Sequence, residues 1–331
     1  MESRQAIKLA RRAIRAPAYH DIIMNMQNIV ITSGRKYVDI DAYASMIAYR
    51  ELLKTTSDAN VIASTTATPN QSVPPLILDL KYSLDDLTKD EDCKYILLDV
   101  SNPDFFDTQV TADKIVEIID HHTGFEQHWA SYPNIKTQIE FIGSICTLIY
   151  EKIIESGHTE ILDTDMCKLL IAGILDNTLN LKSSITTDRD RVAYNELLKL
   201  GNVSEDFYKE YFSACESGVM KDFEKAIRDD LKVEKAGVLP EVIGQMIVLN
   251  LDNFDYEKMN EIFADYPEWM MNVILLEEGK SYIYFGGDGV KQRLEHLFDK
   301  KCENDELLIL DKFLLRKQIM KKAREASSMK Y

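Results

Sequence analysis

Acidic side chains and a pair of histidines follow the predicted strands of this sequence at the points where the strands end. In an open α/β sheet, sites form in the crevice outside the carboxyl ends of the strands, so we expect these side chains to converge. Carboxylates and imidazoles together suit Mn²⁺, Mg²⁺ or Co²⁺, and the absence of nearby cysteine argues against a structural zinc site. The pattern therefore predicts a divalent-metal centre. Its candidate residues are Asp39, Asp41, Asp99, Asp120, His121, His122 and Asp176.

Each of these motifs is weak evidence when it is taken alone. An Asp-x-Asp after a strand is commonly a turn or a helix N-cap, and a His-His pair commonly lies on the surface. Their combination is stronger, because each cluster terminates a separate apolar element. The histidines His20, His158 and His296 lack this acidic context, and His128 fits a structural role as well as a supporting one.

Short apolar runs rich in β-branched residues alternate with amphipathic segments over residues 27–200. This alternation predicts βαβ units and a mostly parallel sheet flanked by helices. The pattern loosens over residues 201–218, which we interpret as an inter-domain linker, partly helical. Further strand and helix patterns predict a second, smaller α/β domain over residues 219–331, and residues 1–26 form a predicted basic helical extension.

Composition limits the class of protein. The chain has 331 residues and a mass of 38.0 kDa, with 45% hydrophobic residues, which allows about two domains with substantial cores. Its formal net charge of -16 argues against a chain-wide surface for nucleic acid or anionic membranes. Its five cysteines are scattered, and no apolar run approaches the roughly 18 residues of a membrane span. We therefore expect a reduced, cytoplasmic protein with neither nucleic acid nor membrane as a partner.

The sequence resembles the DHH phosphoesterase superfamily, which is named after its Asp-His-His triplet. That triplet is present here as Asp120-His121-His122. The order and rough spacing of the other family motifs also hold over most of the predicted first domain. The carboxylates at the first, second and fourth motif positions are Asp39 with Asp41, Asp99, and Asp176.

The remainder of the chain resembles the DHHA2 type of second domain, which occurs in family II inorganic pyrophosphatases, cytosolic exopolyphosphatases and prune-like proteins. The segment around Lys232 is similar to its Asp-x-Lys phosphate-binding motif. Arg316 and Lys317 are similar to the basic pair of its Ser-Arg-Lys motif, with Leu315 in place of the serine. The Gly-Ser-x-Cys-x-Leu run that begins at Gly143 looks more like exopolyphosphatases and prune-like proteins than like pyrophosphatases.

The resemblance implies two divalent ions, Mg²⁺ or Mn²⁺, with a water between them that attacks the substrate phosphorus. The implied metal ligands are Asp39, Asp41, Asp99, His121 and Asp176, with Asp99 bridging the ions. The implied substrate-binding residues are Lys232, Arg316, Lys317, Arg35 and His122, of which His122 contacts the phosphoryl oxygens. The implied catalytic residues are His122, Asp99, Arg316 and Lys317. Domain closure across the predicted linker would exclude water from this site.

One departure from the resemblance concerns Arg35, which occupies the position where pyrophosphatases carry a histidine. The change removes a nitrogen donor from the first metal site and leaves harder ligands, which favour Mg²⁺ over Mn²⁺. Arg35 is itself a candidate contact for a substrate phosphate. The leading hypothesis is an exopolyphosphatase-like hydrolase of the phosphoanhydride bonds of inorganic polyphosphate. The alternatives are an inorganic pyrophosphatase, a nucleotide or short-oligonucleotide phosphodiesterase, and a relative without catalytic activity.

Overall fold

The computed structural model describes residues 28–86, 93–233, 235–252 and 254–328, which contain two five-stranded sheets. The predicted basic extension, residues 1–26, lies outside the described residues. The predicted α/β fold class is confirmed, since a parallel sheet flanked by helices is followed by a second, mixed sheet with its own helices. The boundaries between the two predicted domains stay a prediction.

The first sheet is entirely parallel. Its strands are β1 (Asn28–Thr32), β2 (Asn60–Ala63), β3 (Lys94–Leu98), β4 (Ile115–Asp120) and β5 (Lys136–Ile139). They lie in the order β2-β1-β3-β4-β5. Strand β2 therefore pairs with one edge of β1, and β3 pairs with the other edge. The carboxyl ends of β1 and β3 therefore form a topological switch point, where sheets of this kind bind ligands.

Helices cover both faces of this sheet. They are α1 (Ile40–Thr56), α2 (Pro75–Leu78), α3 (Glu126–Trp129), α4 (Ile145–Ser156), α5 (Thr164–Thr178) and α6 (Asp188–Leu200). Most residues of α1, α4 and α5 are buried in one core on the same face. Gly173 on α5 permits their close approach, because a Cβ at this position would lie 3.2 Å from the Asp41 carboxylate. This packing brings the starts of α1 and α4 to the carboxyl edge of the sheet.

The segment predicted to be a linker mostly forms a helix, α7 (Phe207–Lys221). Phe207, Tyr211 and Phe212 are buried in the core of the first sheet, whereas Val219 is buried in the core of the second. The connection between the two sheets is therefore a packed helix and not an extended tether.

The second sheet is mixed. Its strands are β6 (Lys232–Val233), β7 (Val242–Val248), β8 (Trp269–Leu275), β9 (Lys280–Gly286) and β10 (Leu307–Leu310), in the order β10-β9-β8-β7-β6. Only the β7–β8 pair is parallel among these strands. The helices are α8 (Phe223–Asp230), α9 (Tyr256–Phe263), α10 (Val290–Phe298) and α11 (Arg316–Ser328). Helices α8 and α9 pack on one face, and α10 and α11 on the other. Among the described residues, no helix is long and apolar enough to cross a membrane.

Candidate metal centre

His121 directly follows β4 and points one ring nitrogen at a carboxylate. Its Nδ1 lies 3.0 Å from the carbonyl oxygen of Ile142, so donation of the Nδ1 proton fixes the ring and leaves Nε2 as the free coordinating atom. Nε2 lies 3.2 Å from Oδ1 of Asp99, and the His121 side chain is 5% exposed. Loss of hydration opposes protonation, but the hydrogen bond and charge of Asp99 outweigh it and raise the pKa of His121 to about 9.

Asp99 follows β3 and has a backbone conformation that few residues adopt. Its φ is 60°, in the left-handed region, which aspartate and asparagine tolerate better than other residues with a Cβ. Within the described part of the chain, its buried Oδ1 has the Nε2 of His121 at 3.2 Å as its nearest polar partner, and it makes no other hydrogen bond. A buried carboxylate oxygen is costly unless a hydrogen-bond donor or a cation satisfies it.

The two atoms together fit a divalent cation. The ligand atoms of Asp99, His121 and His122 lie within 4.8 Å of one another. Among the described residues, these three form the group of possible metal ligands that are this close together. An unprotonated Nε2 opposite a carboxylate oxygen places two electron-rich atoms face to face, so either a proton or a metal ion must lie between them. A mixed imidazole and carboxylate donor set suits a first-row divalent ion such as Mn²⁺.

His122 has a different environment from His121. Oδ1 of Asp120 accepts hydrogen bonds from the backbone N–H groups of His121 (2.7 Å) and His122 (3.0 Å) and lies 2.9 Å from the His122 ring Nδ1. Loss of hydration opposes ionisation of Asp120, but the hydrogen bond and charge of His122 lower its pKa. The His122 side chain is 57% exposed. Because Nδ1 faces Asp120, Nε2 is the atom that remains for contact with a ligand, which fits the predicted phosphoryl contact.

Asp39 and Asp176 belong to the acidic cluster through the electrostatic effect of neighbouring carboxylates on them, but neither belongs to the group of ligand atoms that lie within 4.8 Å of one another. Asp39 caps α1 by accepting a hydrogen bond from the N–H of Ala42 (3.0 Å). Loss of hydration and the charges of Asp99 and Asp41 raise the pKa of Asp39 to about 8. Loss of hydration, opposed by a hydrogen bond from Tyr211 (3.1 Å), raises the pKa of Asp176 to about 7. These carboxylates disfavour one another's ionisation, and bound cations would relieve that repulsion.

This repulsion predicts a pH dependence of the metal-free protein. Because the folded-state pKa values of Asp39 and Asp176 are raised, the folded chain holds protons that the unfolded chain releases. Stability in the presence of a chelator is therefore expected to fall from about pH 4 to pH 8, by up to about 1.4 kcal/mol per pH unit for each proton. Thermal melts with EDTA and with saturating Mg²⁺ test this. Equal pH slopes under both conditions would contradict cation binding at the cluster.

Asp41 lies in the same cluster, but its oxygens already have partners. Oδ1 accepts hydrogen bonds from the Ser144 hydroxyl (2.6 Å) and the Cys146 N–H (3.0 Å). Oδ2 accepts them from the Ile145 N–H (2.9 Å) and from the side-chain amide of Asn177. All four acceptor positions of the carboxylate are filled, and Asp41 is fully buried. Its assignment as a metal ligand therefore stays a prediction, and this arrangement argues for a role in capping α4 instead.

Three residues in these contacts were not predicted from the sequence. Ser144 is the N-cap of α4, Asn177 lies one residue after Asp176, and Tyr211 reaches the cluster from α7. The Tyr211 hydroxyl has one proton and lies 2.8 Å from the carbonyl oxygen of Ser72 and 3.1 Å from Asp176, so these two acceptors share it. A Gly-Ser before an apolar run is a recognisable N-cap signal, whereas nothing local indicates that Tyr211 reaches Asp176.

Arg316 is the first residue of α11 and is held by an acidic partner. Its Nη1 and Nη2 donate to the two carboxylate oxygens of Asp230, at 2.6 and 3.1 Å, and Nη1 also donates to the Asp230 carbonyl (2.8 Å). The backbone N–H of Gln245 donates to the same carboxylate (2.7 Å). A substrate phosphate at Arg316 must therefore share the guanidinium with Asp230 or displace it.

Tyr37 is within electrostatic reach of charged groups that follow the first sheet and of one that belongs to the second part of the chain. Its pKa is raised by loss of hydration and by Asp39, and Arg316 opposes this shift. Tyr37 is 49% exposed. The role of Arg316 as a phosphate contact beside the acidic cluster stays a prediction.

The other predicted basic contacts are more exposed. Lys232 begins β6, two residues after Asp230, and Lys317 follows Arg316 on α11 with an exposed side chain. Arg35 is exposed in the loop after β1, where its guanidinium donates to the carbonyl oxygen of Asp104 (3.2 Å). The substrate-binding roles of Lys232, Lys317 and Arg35 stay predictions.

Comparison with known proteins finds one family model and several relatives that are similar to parts of this chain. Residues 28–174 match the DHH family, N-terminal domain. A protein of Methanothrix thermoacetophila named as a manganese-dependent inorganic pyrophosphatase is 24% identical over 314 residues, which cover 88% of this chain and 96% of the relative. A protein of Lactobacillus delbrueckii subsp. bulgaricus, named as a probable enzyme of the same kind, is 26% identical over 220 residues, which cover 62% of this chain and 68% of the relative.

Similarity to a solved structure extends over both sheets. The crystal structure of a Methanococcus jannaschii protein, assigned to family II of the inorganic pyrophosphatases, has a TM-score of 0.57 and 22% sequence identity. The match covers 91% of this chain and 99% of that protein. At this level of identity the likeness establishes the fold.

Proposed function

We propose that the chain is a metal-dependent hydrolase of inorganic phosphoanhydrides, on the premise that its residues 28–174 match the DHH family, N-terminal domain. The observation that carries the proposal is the group of Asp99, His121 and His122, whose ligand atoms lie within 4.8 Å of one another, with the buried Asp99 oxygen 3.2 Å from Nε2 of His121. A divalent ion can take the place of the proton between those two atoms, and Arg316 suits an anionic substrate.

The chain's own residues have separable roles in this proposal. Asp99 and His121 hold the metal, and His121 is kept in the coordinating tautomer by the Ile142 carbonyl. When bound, divalent ions supply an activated water and stabilise the charge that develops on phosphoryl oxygens. His122, oriented by Asp120, donates from Nε2 to a phosphoryl oxygen, and Arg316 binds the phosphate from the second sheet.

Two divalent ions are proposed, as in the resemblance, with Asp39 and Asp176 as the further ligands. Their raised pKa values support this number, because two close carboxylates beside Asp99 exceed what one ion needs to neutralise. Asp41 would join the ligand set only by releasing a hydrogen bond from α4 or Asn177. Manganese is the first candidate, because the relatives are named for it and His121 supplies a nitrogen donor.

Pyrophosphate is the first candidate substrate, since the relatives that match most of the chain are named as pyrophosphatases. The terminal bond of a polyphosphate is the second candidate. It is favoured by Arg35 in place of the pyrophosphatase histidine and by the Gly-Ser-x-Cys-x-Leu run at Gly143. The net charge of -16 makes very long polyanions the less favourable substrates.

A phosphate-release panel tests this function. The purified full chain is expected to release phosphate from pyrophosphate, tripolyphosphate or both with Mn²⁺, and to lose this activity when a chelator is added. A His121→Ala variant is expected to be inactive, whereas the matched variant His296→Ala, at an exposed position on α10, should keep full activity. Failure to release phosphate from pyrophosphate, tripolyphosphate and long polyphosphate with Mn²⁺, Mg²⁺ or Co²⁺ would overturn the proposal.

A further inference from the structure

An aromatic pocket lies on the face of the second sheet that α9 partly covers. Its volume is about 330 Å³, within the range of pockets that hold small ligands. Four aromatic side chains line it, together with the carboxylate-bearing residue Glu306. The aromatic residues are Tyr256, Trp269, Tyr282 and Tyr284.

Sheet geometry explains why these rings gather there. Tyr282 and Tyr284 are two residues apart on β9 and so point to the same face. Trp269 on β8 is paired with Gly286, and a Cβ on that glycine would come within 2.5 Å of the indole nitrogen. The glycine therefore makes room for the indole beside the tyrosines.

The walls of the pocket are held in place by their own contacts. The Trp269 ring stacks on Phe263, with centroids 4.3 Å apart and planes 15° apart. The Tyr256 and Tyr284 rings meet edge to face at 5.2 Å, and their hydroxyls are 3.0 Å apart. Because these side chains are already ordered, ligand binding loses less conformational entropy than it would at mobile side chains.

The lining of the pocket carries one acidic side chain and no basic one among the described residues. Glu306 is that acidic residue, and it forms no ion pair with a described residue. At the edge of the pocket, the Tyr282 hydroxyl donates to the carboxylate of Glu278 (3.0 Å), which also pairs with Lys280 at 3.7 Å. Loss of hydration, this hydrogen bond and the charge of Glu278 raise the pKa of Tyr282. An anion, including the polyphosphate substrate, would be repelled here.

We propose that this pocket binds a small organic cation, an amine or alkylated ammonium ion, between its aromatic rings and the carboxylate of Glu306. Ring faces attract cations through their quadrupoles, and the attraction is strongest for tryptophan. The unpaired carboxylate beside the rings attracts a cation, and it would not attract an uncharged apolar ligand. This site is independent of the metal centre and of the proposed hydrolysis.

Choline is the probe, and 3,3-dimethyl-1-butanol is its uncharged isostere. Titration of the full chain with choline is expected to change the fluorescence of Trp269 saturably, with the isostere binding at least about five-fold more weakly. The chain has two tryptophans, and the other, Trp129, is buried in the first sheet's core. The response should therefore disappear in Trp269→Phe.

Glu306→Gln is expected to weaken choline binding by about five-fold. The matched variant Glu155→Gln, an exposed glutamate on α4, should bind choline like the unmodified chain. Both variants should keep the melting temperature and the rate of phosphate release. Equal affinity for choline and its isostere, a titration without saturation, or unchanged binding by Glu306→Gln would each overturn the proposal.

Discussion

Replacing Asp99 with asparagine is expected to lower the rate of phosphate release by at least about 10³-fold. In the proposed function the carboxylate would supply the charge that holds a cation beside His121, and metal stabilisation of a phosphoryl transition state is worth several kcal/mol. Each 1.36 kcal/mol corresponds to about ten-fold in rate. The measurement is phosphate release from the preferred substrate at saturating Mn²⁺, with the rate of Asp104→Asn, an exposed carboxylate nearby, as the control.

Asparagine is the informative substitution because Asp99 has a φ of 60°. Asparagine tolerates this left-handed conformation about as well as aspartate, whereas alanine adds backbone strain to the loss of charge. A loss of activity in Asp99→Ala would therefore mix misfolding with loss of the metal.

The same variant carries a stability readout of opposite sign. Asp99 raises the pKa of Asp39 and of Asp41, but it also stabilises protonated His121, whose pKa it raises to about 9. Above about pH 9 His121 is unprotonated and only the repulsion remains, so in EDTA at that pH Asp99→Asn is expected to melt at the same temperature as the unmodified chain or higher. Retention of more than a tenth of the activity, or a lower melting temperature in EDTA above about pH 9, would contradict the assignment of Asp99 as a metal ligand.

The order of the acidic clusters was visible in the sequence because each one ends an apolar element. The structure places Asp39 and Asp99 after β1 and β3, and the Asp-His-His triplet at the end of β4, which is where parallel strands bring their ends together. Periodicity was therefore enough to predict the α/β fold, and the position of the site at this edge of the sheet stays a prediction.

The side-chain partners were not visible, since they are distant in the sequence. Asp41 and Ser144 are 103 residues apart, Asp41 and Asn177 are 136 apart, and Arg316 and Asp230 are 86 apart. A motif identifies the type of each residue but does not show which donors reach it. The packing of the predicted linker could not be predicted either, because its local pattern is irregular. Phe207 and Tyr211 are buried there against elements that are distant in the sequence.

Replacing Asp41 with asparagine is expected to destabilise the metal-free protein by about 1–3 kcal/mol. The carboxylate accepts the N–H groups of Ile145 and Cys146 through different oxygens at the buried start of α4, and asparagine keeps only one of those oxygens. One buried N–H group therefore loses its acceptor and faces the amide nitrogen, which is itself a donor. The lost negative charge also interacts favourably with the helix N-terminus.

Asp39→Asn is the matched control, because Asp39 is a predicted metal ligand that also begins a helix. It caps α1 through one hydrogen bond, from the N–H of Ala42, and asparagine is as good an N-cap as aspartate. In EDTA, chemical denaturation should show no loss of stability for Asp39→Asn and a clear loss for Asp41→Asn. If Asp41 were instead a free metal ligand, removing its charge would relieve repulsion, and both variants would be as stable as the unmodified chain or more so. The sign of the Asp41→Asn effect in the absence of metal therefore separates a helix-capping carboxylate from a metal ligand.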